Sequence, residues 1–175
     1  MTRSMMTLTS ALALCAGPGL AQDMNFNRIA SFIVAENAPE AEESSAEIIG
    51  VTEDGMTLVY TDSPARVLGF IDITDPAAPT GLGAIAMPEG EPTSVAVRGM
   101  TAYVGENTAA SFVEPSGVLH SVDVPSQTVT GTCDLGGQPD AVAIAPDGSF
   151  IAVAIENERD EDLGEGRVPQ MPAGF

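Results

Sequence analysis

Residues 134–156 read DLGGQPDAVAIAPDGSFIAVAIE, and this stretch decides the fold. Two short apolar runs flank a tight Pro146-Asp147-Gly148 turn, and a Gly-Gly-x-Pro corner leads into them. Glycine accepts the positive φ that such a hairpin needs, and proline fixes the φ before it. Residues 89–105, EGEPTSVAVRGMTAYVG, form a looser copy. The recurrence can be measured: Ile48, Val95 and Val142 are spaced 47 residues apart, as are Pro92 and Pro139. Asp72 and Asp123 correspond as the aspartate inside the third strand of each repeat.

Working outward, the remaining strands fall into place. Residues 46–52, 56–61 and 67–73 read as strands, with 83–87 as a short outer one; 93–98, 101–105, 118–124 and 128–135 repeat the set. Residues 140–145 and 149–155 open a third round. Residues 25–35 (NFNRIASFIVA) also read as a strand, since they are rich in β-branched and aromatic residues with no helical period. Four short strands in about 40–50 residues is the signature of a β-propeller blade. The expected fold is therefore all-β: blades of four antiparallel strands in an incomplete ring of about two and a half blades, since closed rings have about 4–8. The blade repeats cover about residues 46–92, 93–139 and an incomplete 140–175. The chain is expected to be part of a longer one, and in a whole ring strand 25–35 would complete the last blade. A small β-sandwich is the competing fold, and the 47-residue recurrence argues against it.

Residues 1–21 are expected to be a signal peptide, leaving a propeller segment 22–175. Arg3 precedes an apolar run over residues 5–15, Gly17-Pro18-Gly19 breaks it, and Gly19 and Ala21 are small residues at −3 and −1 before Gln22. The run falls short of the ~20 residues a membrane span needs, so no membrane insertion is expected after cleavage. Leu14 is too bulky for Cys15 to be a lipidation site. These features place the chain in the periplasm or outside a bacterial cell.

The sequence carries 25 acidic residues against six arginines and no lysine, for a net charge of −19. Such a surface repels nucleic acid and anionic lipid. Without lysine there is neither a Schiff base nor a P-loop; a single histidine rules out a His-pair zinc site, and no Gly-x-Ser-x-Gly elbow occurs. No residue is assigned a catalytic role. His120 alternates with Val118, Val122 and Val124, which places it on an apolar face packed between blades, with a ligand role as the alternative. Asp62-Ser63 reads as a turn before Pro64 rather than a nucleophile. Asp72 and Asp123 read as buried carboxylates that pin blade corners. Cys133, the one cysteine after the signal, is either buried in its strand or pairs with a cysteine outside this chain; the early stop favours the latter. The densest acidic run, residues 156–162 (ENERDED), offers Glu156, Glu158, Asp160 and Asp162 as oxygen ligands for Ca²⁺, against the plainer reading of solvated loop charge.

Residues 136–154 (GGQPDAVAIAPDGSFIAVA) resemble the YVTN-type propeller repeat, and 69–79 (GFIDITDPAAP) the LVIVD-type repeat. Together with NRIASF, AEIIGVTEDGMTLVYTDSP and AIENERDEDLGEGRVPQMPAGF, the chain is similar to the N-terminal part of exported bacterial proteins that join such a propeller to an esterase-like phytase domain, some labelled alkaline phosphatase. The resemblance implies a periplasmic module that binds a small-molecule or protein ligand at the propeller face, with the phosphoester-hydrolysing domain beyond residue 175. Two alternatives stand beside it: a propeller that is itself a Ca²⁺-dependent phosphatase or phytase, and an interaction scaffold without enzymatic activity.

Overall fold

The structure, a computed structural model, describes residues 27–87 and 89–159; the signal-peptide stretch 1–21, and Asp160 and Asp162 of the acidic run, lie outside them. The strands are β1 (Ala46–Val51), β2 (Thr57–Asp62), β3 (Val67–Asp72), β4 (Thr80–Ala86), β5 (Glu91–Arg98), β6 (Thr101–Asn107), β7 (Gly117–Asp123), β8 (Thr128–Asp134), β9 (Pro139–Ile144) and β10 (Ile151–Ile155). They form antiparallel meanders: β1–β4 is blade 1, β5–β8 is blade 2, and the β9–β10 hairpin begins blade 3. Within each blade every strand pairs with its chain neighbour, through connections that range from the tight Gly99-Met100 turn to the longer loop 108–116. The 47-residue recurrence is this meander seen along the sequence.

The blades fan out from their first strands. β1 lies beside β5 and β5 beside β9, while β8 is exposed along its whole length. A two-layer sandwich would bury the outer strands equally, so the arrangement is that of propeller blades in an open ring. Val59, Leu68 and Phe70 face blade 2 and meet Ala102, Val104 and Val122; all six are fully buried. Met87, between the blades, closes the same cluster at 1% exposure. Gly50 lets β1 approach β5, since a Cβ there would lie 2.6 Å from Val97 Cγ2.

Polar bonds cross both seams and end on equivalent prolines. Ser63 Oγ lies 2.8 Å from the Pro92 carbonyl, and Thr93 Oγ1 donates to the equivalent Pro139 carbonyl at 2.7 Å. A second recurrence closes each blade: a side chain from the end of the second strand accepts the N–H just before the first. Asp62 takes Ser45 N–H at 2.9 Å, Glu106 takes Gly90 N–H at 2.7 Å, and Asn157 takes Gln138 N–H at 3.0 Å.

Residues 27–33 are not the strand their composition suggests; they form an irregular strap that ends in a 3-10 turn at Val34–Glu36. A strand needs a ladder partner, and this segment docks through side chains instead. The β3–β4 pairing shifts register between Phe70 and Ile71, leaving Leu82 as an extra residue beside Gly83 at φ +91°. Such a bulge strands backbone groups. The Asn37 amide fills the gap like a peptide unit: Nδ2 donates to the Phe70 carbonyl at 2.9 Å, and Oδ1 accepts Gly83 N–H at 3.2 Å. Nδ2 also lies 3.2 Å from Tyr60 Oη, and Tyr60 stands directly opposite Gly69, whose missing side chain leaves room for the ring. In blade 2 the matching bulge is closed internally, where Thr130 Oγ1 donates to the Ser121 carbonyl at 3.1 Å.

Asp72 and Asp123 do pin corners, but from half-buried positions rather than the core. Asp72 accepts Thr74 N–H at 2.8 Å, and Asp123 accepts the Ser126 hydroxyl and N–H at 2.5 and 3.0 Å. The corner needs only a local Asx turn, which forms at the surface. Asp54 and Asp147 act alike in the β1–β2 and β9–β10 turns. Hydroxyl donors hold all four carboxyls below the usual carboxylate range: Thr52 for Asp54, Thr74 for Asp72, Ser126 for Asp123 and Ser149 for Asp147, with backbone N–H bonds adding to each. Cys133 sits exposed in β8 as a free thiol, so it is not the buried strand residue that was one of its two readings.

Two predictions follow from these contacts. Asn37→Ala strands the Phe70 carbonyl and Gly83 N–H, so it is expected to lower unfolding stability in urea by about 1–3 kcal/mol. A change within experimental error would mean the strap is not bonded into blade 1. The four aspartates have folded pKa values below their unfolded 3.8, so their stabilisation is present above that value and lost as pH falls through the lower folded values. Thermal melts are expected to fall in temperature below about pH 4, and the Asp54→Asn, Asp123→Asn, Asp147→Asn triple variant, whose amides still accept the turn bonds, should show a shallower acid slope. An unchanged slope would remove these residues from the acid response.

Candidate functional site

The first strands of the three blades bring their hairpin turns to one face of the ring. Between them opens a cleft of about 350 Å³, lined by Val51, Glu53, Val97, Arg98, Ile144 and Pro146 among others. Apolar walls come from strand residues, and the polar groups come from the turns. Glu53 is exposed in the β1–β2 turn; its N–H donates to the Gly99 carbonyl at 3.1 Å, tying turn one to turn two. Arg98, the last residue of β5, crosses to turn three, where Nη2 donates to the Asp147 carbonyl at 2.9 Å and Nη1 to the Ala145 carbonyl at 3.4 Å. The mouth thus presents one carboxylate, one guanidinium and several turn carbonyls. Those groups suit recognition by hydrogen bonds and charge, and no nucleophile sits beside a base among the lining residues.

His120 lies away from this mouth, packed in the seam between blades 1 and 2 as its alternation implies. Its Nε2 is 2.6 Å from Glu106 Oε2, and its Nδ1 is 3.0 Å from Thr132 Oγ1. The Glu106 carboxylate is fully buried, with its other oxygen on Gly90 N–H. One hydrogen bond joins Nε2 to the carboxylate, and the Thr132 hydroxyl serves Nδ1 as donor or acceptor. Every polar atom of this network is bonded, which fits a structural pin. The strand expected over 101–105 stops one residue short of Glu106, which the observed β6 includes. The available signal was its place: it matches Asp62, the acidic residue ending the second strand one repeat earlier.

Asp62 and Ser63 behave as a turn. Buried Asp62 accepts Ser44 Oγ at 2.5 Å, Ser45 N–H at 2.9 Å and Ala65 N–H at 3.1 Å. Of the four proposed calcium ligands, Glu156 and Glu158 are described; both are exposed just past β10. Gln138 steers this exit: its carbonyl accepts Glu156 N–H at 3.0 Å, and its side-chain oxygen accepts Glu158 N–H at 3.4 Å. Because β10 runs away from the turn-three end, the two glutamates emerge at the opposite face of the ring from the cleft. Among the described residues, no three His, Cys, Asp or Glu side chains gather as a metal site.

The fold has solved counterparts. The chain is similar to Kuenenia stuttgartiensis hydrazine synthase at 19% identity and a TM-score of 0.54, over 65% of this chain and 30% of that one. It is also similar to a luciferin-regenerating enzyme (14% identity, TM-score 0.45, 60% and 40% of the two chains). A Desulfotomaculum acetoxidans protein of unknown function gives 15% identity and a TM-score of 0.42, over 65% and 50% of the two chains. The chain therefore spans half or less of the length of these structures, and the likeness to the first concerns fold alone. No curated protein matches it. Residues 47–174 match the model of the choice-of-anchor I domain, so the chain belongs to the choice-of-anchor I domain family.

Proposed function

We propose that this chain is a non-catalytic, ligand- or partner-binding propeller module of an exported bacterial protein, working alongside a phosphoester-hydrolysing domain of the esterase-like phytase kind. The observation that carries the binding reading is the cleft at the inner turns, where Glu53, Arg98 and turn carbonyls surround an open, partly apolar floor. Export is supported by the apolar stretch after Arg3 and by membership of a family named for its choice of anchor. Among the described residues, no helix is long and apolar enough to cross a membrane. The hydrolase partner is carried by the resemblance of the repeat motifs and by nothing in the described geometry. In the scaffold alternative, the same cleft binds a partner with no enzyme attached.

The competing reading, a Ca²⁺-dependent phosphatase within the propeller, places metal at Glu156, Glu158, Asp160 and Asp162. One pair of measurements separates the two. The isolated chain is expected to hydrolyse neither p-nitrophenyl phosphate nor phytate, with or without Ca²⁺. In calorimetry, Ca²⁺ should give the same trace for the wild-type chain and for the variant with Glu156→Gln, Glu158→Gln, Asp160→Asn and Asp162→Asn. Turnover that needs Ca²⁺ and disappears with those four substitutions would overturn the non-catalytic reading.

A further inference from the structure

The cleft at the inner turns holds two opposite charges that do not meet. Glu53 reaches in from turn one; a Cβ at Gly99 would lie 3.9 Å from Glu53 Oε2, which puts that carboxylate beside turn two. Among the described residues nothing donates a hydrogen bond to its oxygens, and the ion pairs are Arg66–Glu91 and Glu106–His120. Arg98 leaves the end of β5 in the other direction, toward turn three. Two of the five N–H donors on its guanidinium serve the Ala145 and Asp147 carbonyls, which leaves three uncommitted among the described residues.

The walls beside these charges are apolar. Val51 ends β1, Ile144 ends β9, and Val97 precedes the last residue of β5. The volume of about 350 Å³ is near the lower end of small-molecule sites, which run to roughly 300–1,000 Å³. Charge then selects among small ligands. The chain carries a net charge of −19, so a simple anion is repelled on approach and meets Glu53 beside its arginine. A simple cation is drawn to acidic groups over the whole surface, and inside the cleft it meets Arg98. A zwitterion has no net charge for the long-range field to act on, and the local pair orients it.

We infer that this cleft takes a small zwitterion with an apolar chain, of the α-amino acid class. Its ammonium bonds the Glu53 carboxylate, its carboxylate takes free N–H donors of Arg98, and its apolar chain lies against Val51, Val97 and Ile144. Both polar contacts are charge-assisted hydrogen bonds, the stronger kind. A ligand with a hydrogen bond at each end fills a gap across which Glu53 and Arg98 do not pair directly. Arg98 is already fixed by turn three, so little ordering is required of it on binding. The inference rests on the reading of the cleft as a binding site and adds the ligand's chemical class.

Titrating the ¹⁵N-labelled chain with leucine tests it. Three compounds serve for comparison: 4-methylpentanoate lacks the ammonium, 3-methylbutylamine lacks the carboxylate, and N-acetylleucinamide carries neither charge. Leucine is expected to give saturable shifts of the Gly99, Ala145 and Gly148 amides, with a dissociation constant on the order of millimolar. The Gln138 and Glu156 amides, at the opposite face, should stay still. Each comparison compound should bind roughly fivefold or more weakly. Glu53→Gln keeps the backbone bond to Gly99; it should weaken leucine about fivefold and not weaken 4-methylpentanoate. If any comparison compound matches leucine at the cleft amides, the zwitterion is wrong and the cleft remains a binding site. Unchanged leucine binding in Glu53→Gln would overturn the seating of the ammonium. Silence of the cleft amides towards all four compounds would overturn both the inference and the binding reading beneath it.

Discussion

A four-stranded blade has two broad faces and can bury neither by itself. That constraint shapes the whole molecule. Blade 1 offers Val59, Leu68 and Phe70 on one side; blade 2 meets them with Ala102, Val104 and Val122, and all are out of water. Burying each of the larger side chains contributes about 1.5–3 kcal/mol, against about 1 kcal/mol net for a typical hydrogen bond. The dry seam therefore supplies most of the cohesion. The polar bonds beside it, Ser63 to Pro92 and Thr93 to Pro139, decide how far one blade slides on the next. The two accepting carbonyls, Pro92 and Pro139, lie one repeat apart, while the donors come from different places in the blade: Ser63 follows β2 and Thr93 lies in β5.

The buried carboxylates fit the same logic. A carboxylate out of water is strongly unfavourable unless it is hydrogen-bonded. Asp62 meets that condition with three donors, and Glu106 with Gly90 N–H and His120. Each fixes the point where the chain turns into its blade, which an apolar side chain could not do because the N–H before the first strand needs an acceptor. In the third blade the acceptor is the neutral amide of Asn157. What recurs is the geometry of the acceptor and not its charge, so a search for identical residues does not detect it.

That distinction explains what could be read from the chain and what could not. The strands were legible because alternation and Gly or Pro turns are local signals; β1, β2, β3 and β9 begin and end within a residue or two of where their composition places them. The period was legible because Pro92 and Pro139 occupy one structural role. The strap was not. Residues 27–33 have strand-forming side chains, yet strand formation requires a free ladder, and the contact made is an amide lodged in a bulge some 33 residues on, between Asn37 and Phe70. Glu106 was hidden because β6 runs two residues past its apolar alternation, and only the partner His120, brought in by β7, shows why. The acidic run remains a sequence observation, with Glu156 and Glu158 exposed and its other two members outside the described residues.

The placement of the single histidine bears on function. Acid–base chemistry near neutral pH most often uses imidazole, because its proton is exchanged there. Here both ring nitrogens are engaged within the seam, one by a fully buried carboxylate and one by Thr132, while the cleft opens elsewhere. A ligand at the inner turns therefore meets carbonyls, a guanidinium and a carboxylate, all already oriented by blade-to-blade bonds. Groups held in this way can select a shape and a charge pattern with little reorganisation on binding. Moving Arg98 to serve a reaction would unseat it from the Ala145 and Asp147 carbonyls and loosen the joint between blades 2 and 3. Residues that line the mouth also join one blade to the next, and under the proposed function that suits recognition at this face.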